Sequence, residues 1–292
     1  MKILVTGSSG FVGARLTERL KKEGFDFHAI SRGNKIHDSN RRFIGTLEEQ
    51  RFHHSYDSII HLAAYLTAEH DTESTNKLVD ANIRFGLEIL SRDCLRPQGL
   101  FVDFGSFAER HYSNDKNINY LYSESKKAFE LMALYFCKAN SIAYTKVIPY
   151  TIYSESNQDT KILDLIIAAL IAKDVVRLSS GRQILDFIHV DDVIDLLFKI
   201  LTHSNHSDLH EKSFECGSGK GLSIRELARK AEAISGLKAN IEWNESQDRP
   251  FDIYRAIGDL ALTKEFFGWV PIRSIEDTIK LKVGRMIGID ET

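Results

Sequence analysis

The sequence predicts an α/β fold in which a doubly wound parallel sheet is joined to a smaller, interleaved α+β lobe. Short apolar runs alternate with longer amphipathic segments through the first half of the chain, as in a parallel sheet flanked by helices. The first of these runs, Lys2–Thr6, leads directly into a glycine-rich turn. After Pro149 the alternation weakens, so the regular sheet is expected to end near that residue.

The elements of the first half follow from the period of the apolar residues. Strands are predicted at about residues 2–6, 26–31, 58–63, 99–105 and 143–148. Helices with charges on one face are predicted at about residues 11–23, 75–93 and 120–139. Residues 41–50 leave room for a short strand but hardly for a full helix, so one crossover is expected to be abbreviated.

The second half has fewer regular elements. A helix is predicted at about 160–173, a strand near 213–216 and a late helix from about 274. Ser223 and Glu226 have capping-box spacing, which predicts a further helix beginning there. We therefore predict a first domain over residues 1–150, to which about 184–204 return, and a second domain formed mainly by 151–292.

The composition is that of an ordinary globular protein. Of the 292 residues, 43% are hydrophobic and 27% are charged, and the net charge is -3. A nucleic-acid partner is not expected, because it normally requires a clustered basic surplus. A membrane partner is not expected either, since a spanning helix needs about 20 apolar residues. The longest apolar segment, Ile162–Val176, is interrupted by charges, and the first one, Ile3–Val5, is too short for a signal peptide.

Neither the cysteines nor the histidines predict a metal site. Cys94, Cys137 and Cys216 are odd in number and far apart, which favours reduced structural thiols and a cytoplasmic location. The histidine-rich segments lack reinforcing ligands; they contain His53, His54, His203, His206 and His210.

The turn after the first strand has the residues that a phosphate-binding site requires. A phosphate needs close backbone approach and exposed N–H donors, and glycines before a helix N-terminus supply both. Gly7 permits the tight turn, Gly10 leaves room for a pyrophosphate, and Gly13 lets helix and sheet pack closely. The alternative is a plain strand-to-helix turn. The dinucleotide-binding residues predicted here are Gly7, Ser9, Gly10, Phe11, Val12 and Gly13.

The end of the second predicted strand indicates which nicotinamide cofactor is used. A carboxylate at this position would take the ribose hydroxyls of NAD, whereas this chain has Ser31 and Arg32. A carboxylate would repel a 2′-phosphate, while arginine offers it a charge-assisted contact. Both residues are therefore predicted to bind the cofactor, with NADP(H) preferred and NAD(H) possible. The alternative for Arg32 is a solvent-facing side chain.

Tyr122 and Lys126 lie one helical turn apart on the same face of the predicted 120–139 helix. An isolated tyrosine titrates near about pH 10, and a neighbouring cation favours its phenolate. Lys126 is therefore expected to lower the pKa of Tyr122 and also to reach the cofactor ribose. Ser106, at the end of a strand, is placed to hydrogen-bond the same substrate oxygen. We predict that these three residues are the catalytic set of an oxidoreductase.

With these motifs in this order, the sequence resembles the extended short-chain dehydrogenase/reductases, the NAD-dependent epimerase/dehydratase group that acts mostly on nucleotide sugars. The resemblance covers nearly the whole chain and implies a Rossmann domain with an interleaved C-terminal substrate lobe. The matching segments are Thr6–Gly13, His61–Ala64, Asn82, Tyr122–Lys126, Glu130, Pro149–Tyr153, Asp186–Asp192, Gly217–Gly219, Ser223–Leu227, Arg249–Pro250 and Phe267–Pro271.

The resemblance also implies further site residues and a partner. Additional cofactor contacts would come from Leu62, Ala63, Ala64, Pro149 and Ile152. Substrate contacts would come from Tyr65, Ser106, Thr151 and Arg249, with Arg249 on the substrate diphosphate. The helices at about 75–93 and 120–139 correspond to the pair that forms a four-helix dimer interface in related enzymes, which implies a homodimer.

Departures from the family pattern narrow the reaction. Dehydratases of this group carry Thr-Asp-Glu where this chain has Ser106, Phe107 and Ala108, so the acid and base that eliminate water are missing. Ala108 also stands where GDP-fucose synthase has its epimerising Cys. Two reactions remain: NADPH-dependent reduction of a 4-keto sugar nucleotide, and C4 epimerisation with tightly bound NAD.

The reductase hypothesis is favoured by Ser31 and Arg32, because a net reductant is more usefully drawn from the NADPH pool. Gly105–Ala108 and Gly181–Phe187 look most like CDP-abequose and CDP-paratose synthases, reductases that complete deoxysugars for bacterial surface polysaccharide. A cofactor-binding sensor without catalysis and a reductase of a small non-nucleotide carbonyl compound are further alternatives.

Overall fold

The chain forms two compact units in a computed structural model that describes residues 1–31, 33–49, 54–111, 120–156, 161–248, 252–286 and 288. The first unit contains Met1–Arg110, Tyr120–Ile148 and Ile194–Phe214. The second contains the described residues within Pro149–Val193 and Glu215–Thr292, together with His111.

An eight-stranded sheet organises the first unit. Its strands are β1 (Lys2–Thr6), β2 (Asp26–Ser31), β3 (Lys35–Asp38), β4 (Phe43–Thr46), β5 (Tyr56–His61), β6 (Leu95–Phe104), β7 (Ala143–Pro149) and β11 (Lys212–Cys216). They lie in the order β11-β7-β6-β5-β1-β2-β3-β4. The pairs β1–β2, β1–β5, β5–β6 and β6–β7 are parallel. The chain crosses from β2 to the other side of β1 at β5, and ligands of such sheets bind at the carboxyl ends of the strands beside this switch point.

At its described residues the crossover after β2 contains no helix, and β4 lies within residues 41–50, where room for a short strand was predicted. β3 and β4 extend the edge of the sheet as antiparallel strands, and β3 has no counterpart among the predicted strands. Asp38 stabilises the turn between them, because one carboxylate oxygen accepts hydrogen bonds from the backbone N–H groups of Asn40 and Arg42, both at 2.9 Å. An aspartate that bonds its own following backbone favours a turn over a helix.

Every segment predicted as helical forms a helix, with one interruption, and two further helices, Val190–Leu201 and Ala261–Phe267, were not predicted. They are α1 (Phe11–Lys22), α2 (Thr72–Val79), α3 (Phe85–Ser91), α4 (Leu121–Ala139), α5 (Ile162–Ala169), α6 (Val190–Leu201), α7 (Ile224–Ser235), α8 (Ala261–Phe267) and α9 (Ile275–Met286). The segment predicted as one helix at 75–93 is α2 and α3 joined by a π-helical turn, Asp80–Arg84. Such turns insert one residue into a helix and are frequent at functional sites.

The second unit is built around the strand β10 (Ile184–His189). Its other strands are β8 (Thr151–Tyr153), β9 (Val176–Leu178), β12 (Gly221–Ser223), β13 (Ile241–Trp243) and β14 (Arg255–Ala256). β10 pairs with β8 and β14 in parallel and with β12 in antiparallel fashion, while β9 pairs with β13. The capping box predicted at Ser223 and Glu226 is present at the start of α7.

Asp186 of β10 is fully buried and holds two loops of the second unit. Its carboxylate accepts hydrogen bonds from the backbone N–H groups of Ser218, Gly219 and Gly258 at 2.6, 2.8 and 3.1 Å. These three N–H groups satisfy the hydrogen-bonding capacity of the buried carboxylate. We therefore assign Asp186 a structural role.

The structure bears on the membrane and cysteine expectations that were drawn from composition. Within the ranges that the structure describes, no helix is both long and apolar enough to cross a membrane. Cys94, Cys137 and Cys216 are buried free thiols.

Candidate active site

The glycine turn between β1 and α1 leaves no room for side chains. Gly7 has φ +65°, and a Cβ there would lie 2.7 Å from the backbone nitrogen of Ala63. A Cβ on Gly13 would lie 2.2 Å from the carbonyl oxygen of Gly7. α1 begins at Phe11 without a side-chain cap from Gly10, as at helix N-termini that bind phosphate. The carboxyl ends of β1 and β5 therefore meet at a turn suited to a pyrophosphate.

A hydrogen-bonded chain connects the ends of these two strands. Thr6 Oγ1 accepts from the backbone N–H of Ala63 at 3.2 Å and lies 2.9 Å from His61 Nδ1. Burial, and secondarily the charge of Lys126, lowers the pKa of His61 to about 3, so the ring is neutral. The Phe129 ring lies 5.1 Å from the His61 ring. The buried His61 positions Thr6, and Thr6 in turn holds the backbone of Ala63 against Gly7.

A cleft of about 730 Å³ opens beside the glycine turn. Of the residues predicted to bind cofactor or substrate, those that line it are Gly7, Ser9, Gly10, Ser31, Leu62, Ala63, Ala64 and Tyr65. Tyr65, which was predicted as a substrate contact, thus shares a cleft with the predicted cofactor residues. Arg32 and Arg249 lie outside the described residues, so both contacts stay predictions.

The other wall of this cleft comes from the interrupted helix and was not predicted. It contributes Lys77, Asp80, Ala81, Arg84, Phe85 and Glu88. Lys77 pairs with Glu73 at 2.5 Å and Arg84 pairs with Asp80 at 2.9 Å. Their spacing of three or four residues marks one helix face, but charges at this spacing are also typical of a solvated face. The sequence alone therefore does not distinguish a helix face that lines a cleft from a solvated helix face.

Asn82, in the π-helical turn, holds the loop after β5 against α4. Its side-chain oxygen accepts from the backbone N–H of Tyr65 at 2.7 Å. Its amide donates to the Tyr65 carbonyl at 3.1 Å and to Ser125 Oγ at 3.0 Å. Ser125 precedes Lys126 and bonds the Tyr122 carbonyl at 2.6 Å. The resemblance singled out Asn82, and the structure gives it a positioning role.

Ser106 lies at the carboxyl end of β6 and begins a short 3₁₀ turn, Phe107–Glu109. Its hydroxyl oxygen accepts from the backbone N–H of Ala108 at 3.3 Å, and its own backbone N–H donates to Glu109 Oε1 at 2.7 Å. Because Oγ acts as an acceptor towards Ala108, its O–H group remains available as a donor. Ser106 can therefore donate a hydrogen bond to a substrate oxygen.

Tyr122 and Lys126 lie in the first two turns of α4, as predicted. Tyr122 is half-buried, whereas Lys126 is fully buried. Lys126 Nζ lies 3.8 Å from Asp103 Oδ1, and neither atom has a hydrogen-bond partner among the described residues. A buried ammonium group without a hydrogen-bond partner is costly. Lys126 Nζ can therefore donate a hydrogen bond to a hydroxyl group of a bound ligand.

The predicted effect of Lys126 on the Tyr122 pKa is wrong for the protein without cofactor. Burial raises the pKa of Tyr122, and the negative charges of Glu109 and Asp103 raise it further. Asp103 is held as an anion: burial opposes its ionisation, but Lys126, Lys146 and other partners outweigh burial and lower its pKa. The phenol is therefore neutral at physiological pH.

The remaining predicted contacts belong to the second unit. Pro149 ends β7, and Thr151 and Ile152 lie in β8, where they pair with Phe187 and Ile188 of β10. His189 of the same sheet lies 2.9 Å from a Glu155 carboxylate oxygen, and its Nδ1 accepts from the backbone N–H of Asp191. Both ring nitrogens thus have neighbours of their own, although the three side chains stand close enough for a metal.

A glycine turn at the switch point of a parallel sheet, together with serine, tyrosine and lysine at the neighbouring strand and helix ends, defines a Rossmann-type oxidoreductase site. The chain belongs to the NAD dependent epimerase/dehydratase family, whose pattern matches residues 3–217. It is an enzyme of the extended short-chain dehydrogenase/reductase class, as the sequence predicted.

The relatives include proteins named for two kinds of nucleotide-sugar enzyme. The chain is 26% identical over 299 residues to a CDP-abequose synthase of Salmonella typhimurium, covering 95% of this chain and 97% of the relative. It is 23% identical to a UDP-glucose 4-epimerase of Lactobacillus helveticus, covering 96% and 95% of the two chains. The resemblance to CDP-abequose synthases is thereby confirmed.

Solved structures confirm the fold. MoeE5 in complex with UDP-glucuronic acid and NAD superposes with a TM-score of 0.83 at 18% identity, covering 99% of this chain and 100% of that one. A UDP-glucuronic acid 4-epimerase from Bacillus cereus, in complex with UDP-glucuronic acid and NAD, gives 0.82 at 18% identity with the same coverage.

Proposed function

We propose that this chain reduces the keto group of a 4-keto sugar nucleotide with NADPH, and that Tyr122 is the proton donor. The end of β2 carries the proposal, because Ser31 lines the cofactor cleft and no described residue of β2 brings a carboxylate to it. The CDP-abequose synthase relative, which matches nearly the whole chain, supports the same choice. Burial and the charges of Glu109 and Asp103 raise the pKa of Tyr122, so its phenol is neutral and can donate a proton.

The residues of this site fit a nicotinamide dinucleotide. The turn at Gly7 and Gly13 excludes side chains, and the buried Lys126 Nζ has no hydrogen-bond partner in the part of the chain that the structure describes. When bound, the reduced nicotinamide supplies a hydride to the keto carbon. Tyr122 donates a proton to the developing alkoxide, Ser106 donates a hydrogen bond to the same oxygen, and Lys126 holds the ribose hydroxyls.

The preference for NADPH rests on the end of β2. Ser31 lines the cofactor cleft with Gly33 and Asn34, so β2 brings no carboxylate to this wall at the described positions. Glu48 is turned towards Asn34, whose side-chain amide donates to it at 2.7 Å. A 2′-phosphate is therefore not repelled by β2 itself. Arg32, which follows Ser31 in the sequence, is proposed to make the charge-assisted contact with that 2′-phosphate.

The relatives support the substrate class and the pathway. CDP-abequose synthases cover nearly the whole chain, and several other relatives are named for enzymes of nucleotide sugars. We therefore place the reaction in the biosynthesis of deoxysugars for surface polysaccharide. Arg249 is proposed as the contact of the substrate diphosphate, and Thr151 as a further substrate contact. We expect the enzyme in the cytoplasm.

A C4 epimerase with tightly bound NAD is the second candidate. It is favoured by the relatives named as 4-epimerases and by the solved structures of the same fold that are complexes with NAD. A sensor without catalysis is less well supported, because the chain keeps all three residues of the proposed catalytic set, Ser106, Tyr122 and Lys126.

The consumption of reduced nicotinamide distinguishes the reductase, the epimerase and the sensor. The purified protein is incubated with NADPH or NADH and a panel of CDP-, dTDP-, GDP- and UDP-linked 4-keto-6-deoxy sugars, and absorbance of the reduced nicotinamide is followed. We expect NADPH to be consumed with one nucleotide class and NADH to react more slowly. Isomerised UDP-hexose in a parallel incubation, without net consumption of reduced nicotinamide, would assign the epimerase. A stoichiometric NADPH complex that is inert to every sugar would support the sensor.

We also propose that the protein is a homodimer through α2, α3 and α4. Leu131 and Tyr135 on α4 are 72% and 71% exposed, and Met132 beside them is 46% exposed. Large exposed apolar side chains on one helix are typical of an interaction surface.

Light scattering at micromolar concentration tests this proposal. We expect twice the chain mass of 33.2 kDa for the wild type and a shift to monomer for Leu131→Arg. Leu281→Arg is the matched control, because Leu281 of α9 is also exposed but lies outside the proposed interface. A monomeric wild type would reject the dimer.

A further inference from the structure

One wall of the cofactor cleft runs along the interrupted helix, from the loop after β5 towards the end of β2. Its first half lies beside that loop, because the Asn82 side chain bonds the backbone of Tyr65 at 2.7 and 3.1 Å. Its second half, α3, packs towards β2: Ile89 belongs to the same buried apolar cluster as Ile30, which also lines the cleft. Glu88, which precedes Ile89, is the lining residue at this second end.

Polar contacts connect Glu88 to the residues after β2. Arg92 donates to Glu88 Oε1 at 2.5 Å. The side chain of Asn34, a lining residue of the cleft, donates to Glu48 at 2.7 Å. That bond is the main cause of the lowered pKa of Glu48, and the charge of Arg92 contributes in small part. Arg92 thus lies close to both carboxylates, and Glu88 lies towards the Asn34 end of the cleft.

Glu88 has a carboxylate oxygen to offer to a ligand. Arg92 uses Oε1, and within the described ranges no hydrogen bond is made to Oε2. The side chain is 33% exposed, so solvent or a ligand in the cleft can reach it. A carboxylate accepts hydrogen bonds and donates none, and it repels a phosphate. The partner that suits Glu88 is therefore an uncharged hydrogen-bond donor.

The adenosine half of a dinucleotide provides such a donor at this end of the cleft. In Rossmann folds the end of the second strand binds the adenosine ribose, and the pyrophosphate lies at the glycine turn. In NADPH the ribose 2′-oxygen is phosphorylated and carries negative charge. The adenine amino group, in contrast, is a neutral N–H donor. Of these groups, the adenine amino group matches the chemistry of Glu88 best.

We propose that Glu88 accepts a hydrogen bond from the adenine amino group of the cofactor and thereby makes the cleft selective for adenine dinucleotides. This inference rests on the proposed use of NADPH. The ion pair with Arg92 offsets the negative charge of Glu88, so a 2′-phosphate at the end of β2 is tolerated. Oε2 remains the acceptor for the base.

Deamino-NADPH tests this contact, because its hypoxanthine base has an oxygen acceptor where adenine has the amino donor. Calorimetric titration gives Kd for both dinucleotides. We expect the wild type to bind deamino-NADPH about 10-fold more weakly than NADPH, as for loss of one hydrogen bond to a charged group. In Glu88→Gln the ratio of the two Kd values should fall to about 2-fold or less, because a side-chain amide can either accept or donate.

Asp80→Asn is the matched control. Asp80 also lines the cleft, but it pairs with Arg84 at 2.9 Å and lies two turns before Glu88 on the wall. Asp80→Asn should keep the wild-type ratio of the two Kd values, whatever it does to each value. A loss of stability would weaken the binding of both dinucleotides alike, so the ratio reports the contact with the base.

The outcomes separate this inference from the proposed function. Equal Kd values in the wild type, an unchanged ratio in Glu88→Gln, or an equally reduced ratio in Asp80→Asn would overturn the role of Glu88. A changed preference between NADH and NADPH in Glu88→Gln, with the deamino ratio unchanged, would also overturn it and would place Glu88 at the ribose. A wild type that shows the expected ratio but consumes no reduced nicotinamide with any keto sugar would contradict only the proposed reaction.

Discussion

Replacement of Tyr122 by phenylalanine is expected to lower kcat for keto reduction by about 100- to 10,000-fold, the usual contribution of a positioned general acid. The substitution removes only the hydroxyl group, so the ring keeps its place in the first turn of α4. Lys126 and the glycine turn are unchanged, and the Kd for NADPH should therefore stay near that of the wild type. Steady-state rates and a fluorescence titration with NADPH measure the two quantities.

Tyr135→Phe is the control for this experiment. Tyr135 lies on the same helix but in the proposed dimer surface rather than beside Lys126, and the substitution leaves its ring in place, so kcat should be unchanged. Near-normal turnover in Tyr122→Phe would remove Tyr122 from the mechanism. A loss of NADPH binding in that variant would mean that the hydroxyl group supports the cofactor rather than the proton transfer.

The parallel sheet and the helix α4 could be predicted because their signals are local. The runs at 2–6 and 26–31 match β1 and β2 in the structure, and Tyr122 and Lys126 share a face of α4 as their spacing requires. The glycine turn is equally local, since its function depends on small residues at fixed separations. Domain boundaries and substrate contacts stay predictions.

The predictions that failed depend on contacts between residues far apart in sequence. Lys126 was expected to lower the pKa of Tyr122 because it lies four residues away. Asp103 and Glu109, which raise that pKa, come from β6 and the turn after it. The ion pair between Glu109 and Lys146 joins residues 37 positions apart. No helical or strand period reports such a pair.

The strand β3 and the π-helical turn were missed for a different reason, whereas β4 lies where room for a short strand was predicted. Asp38 directs a turn through hydrogen bonds to its own following backbone, and the apolar pattern does not show this competition. The interruption at Asp80–Arg84 is accompanied by the bonds of Asn82 to Tyr65 and Ser125, which are tertiary contacts. Periodicity alone predicts a continuous helix there.

Gly13→Ala is expected to weaken NADPH binding by about 100-fold, which corresponds to about 3 kcal/mol. A Cβ at this position would lie 2.2 Å from the Gly7 carbonyl oxygen and 2.8 Å from Ser8 Cα, and backbone atoms cannot rotate away. The N-terminus of α1 must therefore move from the turn, and its N–H groups would no longer point at a bound phosphate. Overpacking should also cost about 1–3 kcal/mol of folding free energy.

Gly24→Ala separates the loss of binding from the loss of stability. Gly24 follows the other end of α1 at φ +75°, with nothing within 4 Å of an added Cβ. The left-handed backbone conformation makes alanine unfavourable by about 1–2 kcal/mol there, which is close to the expected cost at Gly13. Urea unfolding should show similar losses of stability in the two variants, whereas calorimetric titration should show weakened NADPH binding in Gly13→Ala alone. Equal NADPH affinities in the two variants would mean that the turn at Gly7–Gly13 does not bind the pyrophosphate.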